Sequence, residues 1–302
     1  MNSSQYKRNE LKKLCSIIGF KPDKVVEILT NIDQYYQERI ENKEDKKRGG
    51  FKRYKDGTIK KRTIRPSLKE LKKIQSRIKD RILAPIELPS CVHGGVKRRS
   101  NISNAKPHQG KKYQFTTDLQ DFYPSITFKK VYDAFICLGY SPHFAHWLTG
   151  LTTWKGELPQ GTPTSTHIAN IVFLETDIKL IKLCNENGIT YTRYVDDLTF
   201  SSQKDFKPIL NDILEIVSSF GYKISYRKTE YKGTQTITGI KVFLNKIDAP
   251  KRIQEKSRIE IETNAKIKPY TNYLHNIRKT NIRKDKTYNL PPIESPEKWK
   301  TP

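Results

Sequence analysis

Two adjacent acids, Asp196 and Asp197, interrupt what would otherwise be one run of strand-forming residues: Tyr191-Thr-Arg-Tyr-Val precedes them and Leu198-Thr-Phe follows. Aromatic and β-branched residues fit a pleated, half-buried surface. Standing between two strand-forming runs, the acids are expected at the tip of a hairpin of residues 189–195 and 198–202 with its turn at Asp196-Asp197. Asp is also a common turn residue, so the pair by itself reads more readily as an ordinary exposed turn than as a chemical site.

A third acid changes the weighting. Residues 113–119 alternate as a strand, and Asp118 stands near its end, 78 residues before Asp196. If the two strands are neighbours in one sheet, Asp118 and Asp196 meet, with Asp197 in support. Such a cluster can hold two Mg²⁺ ions about 3.5–4 Å apart, because Mg²⁺ takes a few carboxylates and completes its shell with water and phosphate oxygens. Mn²⁺ can substitute. The chemistry supplied is that of nucleotidyl transfer, in which a primer hydroxyl is activated for in-line attack and charge on the leaving pyrophosphate is neutralised.

The remaining pattern predicts an α+β fold, an antiparallel sheet backed by helices. Two helices fill the first ~40 residues, the second opening at Pro22. Lys55-Asp56-Gly57-Thr58 is a turn between two basic, strand-like stretches. Ser67-x-x-Glu70 reads as a capping box before a helix with Leu71, Ile74, Ile78 and Ile82 at helical spacing. Thr127 and Ser141-Pro142 start further helices, one long helix is expected from Pro163 to near Gly188, and another spans 205–220. Strands are expected near 222–231 and 235–243, then basic helices after residue 248 and a Pro-rich tail over Leu290–Pro302.

Charge is unevenly placed. The net charge of +25 resides mainly in residues 43–112, at +17, and residues 246–302, at +7, on either side of a neutral centre over 113–245. Such an excess repels itself unless a polyanion partners it. Neither an apolar segment of spanning length nor a signal-peptide core is evident, which points away from membranes and towards nucleic acid and a cytoplasmic location. Cys15, Cys91, Cys137 and Cys184 lie far apart with no CxxC pair, which fits reduced thiols better than zinc or disulfides.

Thr117-Asp-Leu-Gln-Asp-Phe-Tyr-Pro-Ser-Ile126, Leu158-Pro-Gln-Gly-Thr-Pro-Thr-Ser165 leading to Ala169-Asn170, and Tyr194-Val-Asp-Asp197 resemble, in order, three palm motifs of bacterial reverse transcriptases. Asn104-Ala-Lys-Pro-His108 and Ile237-Thr-Gly239 resemble signatures of the retron members, with Ile in place of the usual first Val. The resemblance implies a right-hand polymerase. An N-terminal helical extension would occupy 1–42, fingers 43–112, a palm 113–245 with fingers–palm exchange at its boundary, and a basic helical thumb and polar tail 246–302.

It further implies Asp118, Asp196 and Asp197 as catalytic metal ligands and Tyr123 as the aromatic gate against a ribonucleotide 2′-hydroxyl. Gln160 and Gly161 would lie against the nucleotide and template, Arg99 on the triphosphate and Lys228 near the pyrophosphate. Arg62, Arg65, His108, Lys251, Arg252 and Arg278 are candidate RNA or DNA contacts; His108 is given no acid–base role. Implied partners are dNTPs, a structured non-coding RNA serving as template and primer, the resulting RNA–DNA hybrid, and a defence effector protein. The product would be branched msDNA in an antiphage system. Another defence-associated reverse transcriptase, or an inactive RNA-binding scaffold, is the competing reading.

Overall fold

The computed structural model describes residues 3–45, 49–54, 56–233 and 235–281. The described residues fall into two compact units, one of residues 3–87 with 123–172, the other of residues 88–122 with 173–281.

The first unit begins with α1 (Ser3–Ile18) and α2 (Pro22–Thr30), where Pro22 occupies the first helical turn, its fixed φ and missing N–H costing nothing there. A two-stranded antiparallel ribbon follows, β1 (Arg39–Asn42) with β2 (Lys61–Ile64), in register Arg39↔Ile64 to Asn42↔Lys61. Further bridges, Glu44↔Phe51 and Arg53↔Ile59, extend it towards Gly57, whose φ of +85° suits the turn. Lys55 of the expected turn lies outside the described residues.

Helix α3 (Lys69–Ile78) buries Leu71, Ile74 and Ile78 as the spacing predicts. The expected capping box is not formed: Leu68 is the N-cap residue and makes no side-chain cap. The cause is pairing with the preceding segment, since Leu68 N donates to Tyr35 O and Ser67 bridges Tyr36, which draws Ser67 into the core and away from the helix end.

The second unit carries α4 (Asn101–Ala105) and the central strand β3 (Tyr113–Gln120). The chain then crosses into the first unit within α5 (Phe122–Ser125). There α6 (Phe128–Cys137) and α7 (Pro142–Thr152) are capped by the hydroxyls of Thr127 and Ser141. The single long helix expected after Pro163 is two helices, α8 (Ser165–Val172) and α9 (Leu174–Glu186), broken at Phe173, which has φ −84° and ψ −5°. Phe173 is fully buried and packs edge-on to Phe122, so its ring anchors the break.

From α9 onwards the second unit continues with β4 (Thr190–Tyr194) and β5 (Asp197–Ser202), the predicted hairpin. Helix α10 (Leu210–Ser219) leads to β6 (Lys223–Ile224) and β7 (Glu230–Lys232). These strands form an antiparallel sheet ordered β4-β5-β3-β6, with β7 also on β3. Phe115, Phe200 and Tyr191 stand opposite one another on β3, β5 and β4, with ring centroids 5.8 and 4.8 Å apart. That cross-strand aromatic ladder fixes the register, since a one-residue slip of any of these strands would turn its ring to the other face.

Helices α9 and α10 pack on the sheet through buried Leu180, Cys184, Ile213 and Val217. A smaller sheet of β8 (Thr236–Ile237), β9 (Ile240–Val242) and β10 (Ile247–Asp248) shares a second core with α4 and α12 (Pro269–Lys279), built on Ile237, Ile240, Val242, Ile247 and Ile277. The remaining helix, α11 (Lys251–Glu262), packs on α12. The expected tail over Leu290–Pro302 lies outside the described residues.

Candidate active site

Strands β3 and β5 are neighbours, and the register places Asp118 directly opposite Asp197. The chain reverses one residue earlier than expected, over Val195-Asp196, so that Asp197 belongs to β5 and pairs with both Asp118 and Tyr194. Only the first of the two turn residues, Val195, has positive φ, the sign pattern of a type II′ turn. Asp196 is drawn to the same place through its backbone, its carbonyl accepting from Leu119 N at 3.0 Å.

Three carboxylates therefore converge at one sheet end, and their electrostatics show it. Burial, and then the charges of Asp196 and Asp118, push the Asp197 carboxyl up to about 7, with Lys228 pulling in the opposite direction. The Lys228 ammonium sits 2.6 Å from Asp118 Oδ2, on a side chain still 55% exposed. Like charges at this spacing cannot all ionise without a counter-charge. A raised carboxyl on one acid and an ammonium on another mark a site crowded with negative charge.

Among the described residues no three His, Cys, Asp or Glu side chains enclose a metal position by themselves.

In the first unit, Gln160 and Gly161 are brought to the base of the basic ribbon. Arg65 N donates to Gln160 O at 2.7 Å. Gly161 has φ +108°, and a Cβ there would lie 2.8 Å from Ile64 Cγ2, so both the backbone conformation and the close approach require glycine. Arg65 itself is committed to Glu38 and Glu157, and Arg62 to Glu41 at 2.8 Å on the ribbon surface. Tyr123 is half-buried, its hydroxyl 3.1 Å from Thr166 Oγ1 on α8.

Arg99 and His108 are placed otherwise than expected. The Arg99 guanidinium donates to the carbonyls of Leu88, Pro89 and Val92, so its planar fork closes a loop in the second unit. His108 is fully buried, with Nδ1 2.6 Å from Ser201 Oγ and Nε2 2.7 Å from Thr192 Oγ1. It ties the two strands of the acidic hairpin together from within the core. Reading it as a nucleic-acid contact is incorrect, because an imidazole without exposed surface and with both nitrogens engaged cannot reach a strand.

The two retron-like segments meet in space: Asn104 Nδ2 reaches Thr238 Oγ1 at 3.3 Å, and Asn101 Nδ2 donates to Thr238 O at 3.1 Å and to the Tyr273 hydroxyl at 2.6 Å. Arg278 pairs with Asp248 at 3.1 Å, whereas Lys251 and Arg252 open α11 with exposed side chains.

One group near the site was not anticipated. Arg193 and Asp177 form a bidentate ion pair with neither side chain exposed, Nε to Oδ1 at 3.0 Å and Nη2 to Oδ2 at 2.6 Å. The available signal was a lone Arg inside the strand run Ile189-Thr-Tyr-Thr-Arg-Tyr-Val195, which a buried strand tolerates only with a partner.

Residues 45–242 match the reverse transcriptase (RNA-dependent DNA polymerase) family, more than half of the 302 residues. The chain is 33% identical over 205 residues to the Retron Ec86 reverse transcriptase of Escherichia coli, covering 66% of this chain and 64% of that protein. It is 28% identical over 261 residues to the Retron Se72 reverse transcriptase of Salmonella heidelberg, covering 82% of this chain and 65% of the relative. The matches thus span just under two thirds of either relative's length. Among solved structures, apo telomerase from Candida Tropicalis superposes at TM-score 0.42 with 10% identity, over 62% of this chain and 45% of that one. The chain belongs to the reverse transcriptase family, and within it resembles the retron members.

Proposed function

We propose that this chain is an RNA-directed DNA polymerase that copies a structured non-coding RNA into DNA by nucleotidyl transfer. The observation that carries the proposal is the register of Asp118 opposite Asp197, with Asp196 at the adjoining turn, in a chain of this family. In this reading the β3–β7 sheet is the palm, the basic ribbon belongs to the fingers, and α11 and α12 form the thumb.

Asp118, Asp196 and Asp197 would hold Mg²⁺, or Mn²⁺ in its place. Bound there, the ions supply Lewis-acid activation of the primer 3′-hydroxyl and neutralisation of the leaving pyrophosphate. The protein's own contributions are positional. Lys228, the cation already on Asp118, is placed to release that carboxylate and turn its exposed ammonium to a phosphate oxygen. Asp197 gives up its proton as positive charge arrives. Tyr123 presents a ring to the sugar, excluding a 2′-hydroxyl, and Gly161 offers a bare backbone edge to the nucleotide. Lys251 and Arg252, exposed at the start of α11, track the duplex backbone by charge, a contact that weakens as salt rises. Arg99 is assigned to folding and not to the triphosphate.

By kinship with the retron enzymes, the RNA also primes synthesis from a guanosine 2′-hydroxyl. The product is then branched msDNA, serving antiphage defence with an effector protein. The test is incubation of the purified protein with the structured RNA encoded beside it, dNTPs and Mg²⁺. A DNA product joined to RNA through a 2′–5′ linkage, released by debranching enzyme, is expected. Linear DNA alone would reject the retron priming while keeping the polymerase.

A further inference from the structure

Val195, between Tyr194 and the acids, has φ +62°. A β-branched residue in the left-handed region is a genuine outlier, because its Cβ crowds the following carbonyl. The type II′ sign pattern would ordinarily recruit glycine at this position. Two features hold Val195 there. The Arg193 Nη1 donates to Val195 O at 3.0 Å. Gly94 lies so close that nothing larger than glycine fits: a Cβ at Gly94 would lie 2.5 Å from Val195 Cγ2, 2.7 Å from Val195 N and 3.0 Å from the Tyr194 carbonyl carbon.

Neither contact is adventitious. The segment carrying Gly94 is strapped along β4, with Arg193 N donating to Cys91 O at 2.7 Å and His93 N to Arg193 O at 2.8 Å. Two further donors of the guanidinium, Nε and Nη2, are held by Asp177 of α9, which also accepts from the Tyr191 hydroxyl at 2.7 Å. Phe173 lies under the guanidinium at 4.6 Å. A buried ion pair contributes little net stability over an apolar pair of the same volume, so its worth lies in fixing a geometry. Here the planar fork transmits the position of α9 to a single carbonyl at the turn.

We propose that Arg193, Asp177 and Gly94 are positioning residues that brace Val195 in its left-handed conformation and so fix where Asp196 and Asp197 project. The inference rests on the function proposed above. It separates stability from turnover, because the brace holds a conformation the chain would leave if released.

The test compares wild type with Val195→Gly, Val195→Ile and the double variant R193M/D177N, which removes both buried charges and leaves Tyr191 an acceptor. Each is measured by urea unfolding and by single-turnover primer extension on a primed RNA across dNTP concentrations. Val195→Gly, free to adopt positive φ, is expected to unfold at the wild-type urea concentration or higher. Its maximal extension rate should stay at the wild-type value, because glycine holds positive φ without the brace. R193M/D177N should fold and lose roughly 10–100-fold in maximal rate, as a displacement near 1 Å would produce, with dNTP affinity within about twofold, and adding Val195→Gly to it should restore the rate; Val195→Ile, braced as valine is, should retain the rate. A wild-type rate in R193M/D177N, or a loss that Val195→Gly does not restore, would overturn the brace. Should the double variant fail to fold, Arg193→Lys, which keeps the charge beside Asp177 but loses the planar fork, is measured in its place. A wild type that extends no primer would instead overturn the proposed function.

Discussion

The most quantitative consequence of the fold concerns His108, which joins Thr192 of β4 to Ser201 of β5 from a fully buried position. Burial, with smaller contributions from His93 and Lys111, pushes its imidazole down from 6.5 to about 3. His93 is pushed down to about 4 by burial and the Arg99 charge. Well above pH 6.5 these rings are neutral in both folded and unfolded chains and stability is unaffected. As pH falls through 6.5 the unfolded rings take up protons while the folded ones do not, so stability is lost, and the loss continues until the folded values are reached. Between pH 7.5 and pH 5 each ring accounts for about 2 kcal/mol of that loss. In His108→Gln, where the amide can still bond both hydroxyls, the fall in unfolding free energy over this interval should be smaller than in wild type by about 2 kcal/mol. Urea unfolding followed by far-UV circular dichroism at the two pH values measures it. Parallel losses in variant and wild type would refute the claim that His108 is a buried neutral strut.

Arg99→Ala leaves the carbonyls of Leu88, Pro89 and Val92 without their donor. It should lower unfolding free energy by about 2–4 kcal/mol while changing the apparent dNTP affinity less than twofold in primer extension. Gly161→Ala meets Ile64 Cγ2 at 2.8 Å with φ +108°, and calorimetry should find the first unit destabilised by about 1–3 kcal/mol. Tyr123→Ala should relax discrimination against ribonucleotides roughly 10–100-fold, measured as the ratio of extension efficiencies for dNTP and rNTP, whereas Tyr123→Phe, which keeps the ring, should not.

Much of the architecture could be read from alternation, because a hairpin with aromatic and β-branched flanks has one workable register. Phe115, Phe200 and Tyr191 enforce it. Where tertiary pairing competes with local signals, the sequence misled. Ser67-x-x-Glu70 has the letters of a capping box, yet backbone pairing at Tyr35 and Tyr36 pulls Ser67 away. The helix after Pro163 keeps its apolar period through Phe173, and only burial of that ring reveals the break. The acids were legible because three motifs surround them, but the turn shifted by one residue, since the strain at Val195 is borne by Gly94 and Arg193, distant from it in sequence or unremarked beside it. Arg99 and His108 had motif letters without surroundings; backbone carbonyls engage the one and burial claims the other.

The central claim is that the converging acids perform polymerisation, and Asp196→Asn tests it most directly. The substitution keeps size and turn geometry while removing one negative charge. Primer extension on a primed RNA with dNTPs and Mg²⁺ should fall at least about 10³-fold, beyond the reach of lost binding alone, while RNA affinity by filter binding stays within about twofold. Extension at the wild-type rate by Asp196→Asn, or a wild type inactive with both Mg²⁺ and Mn²⁺, would contradict it.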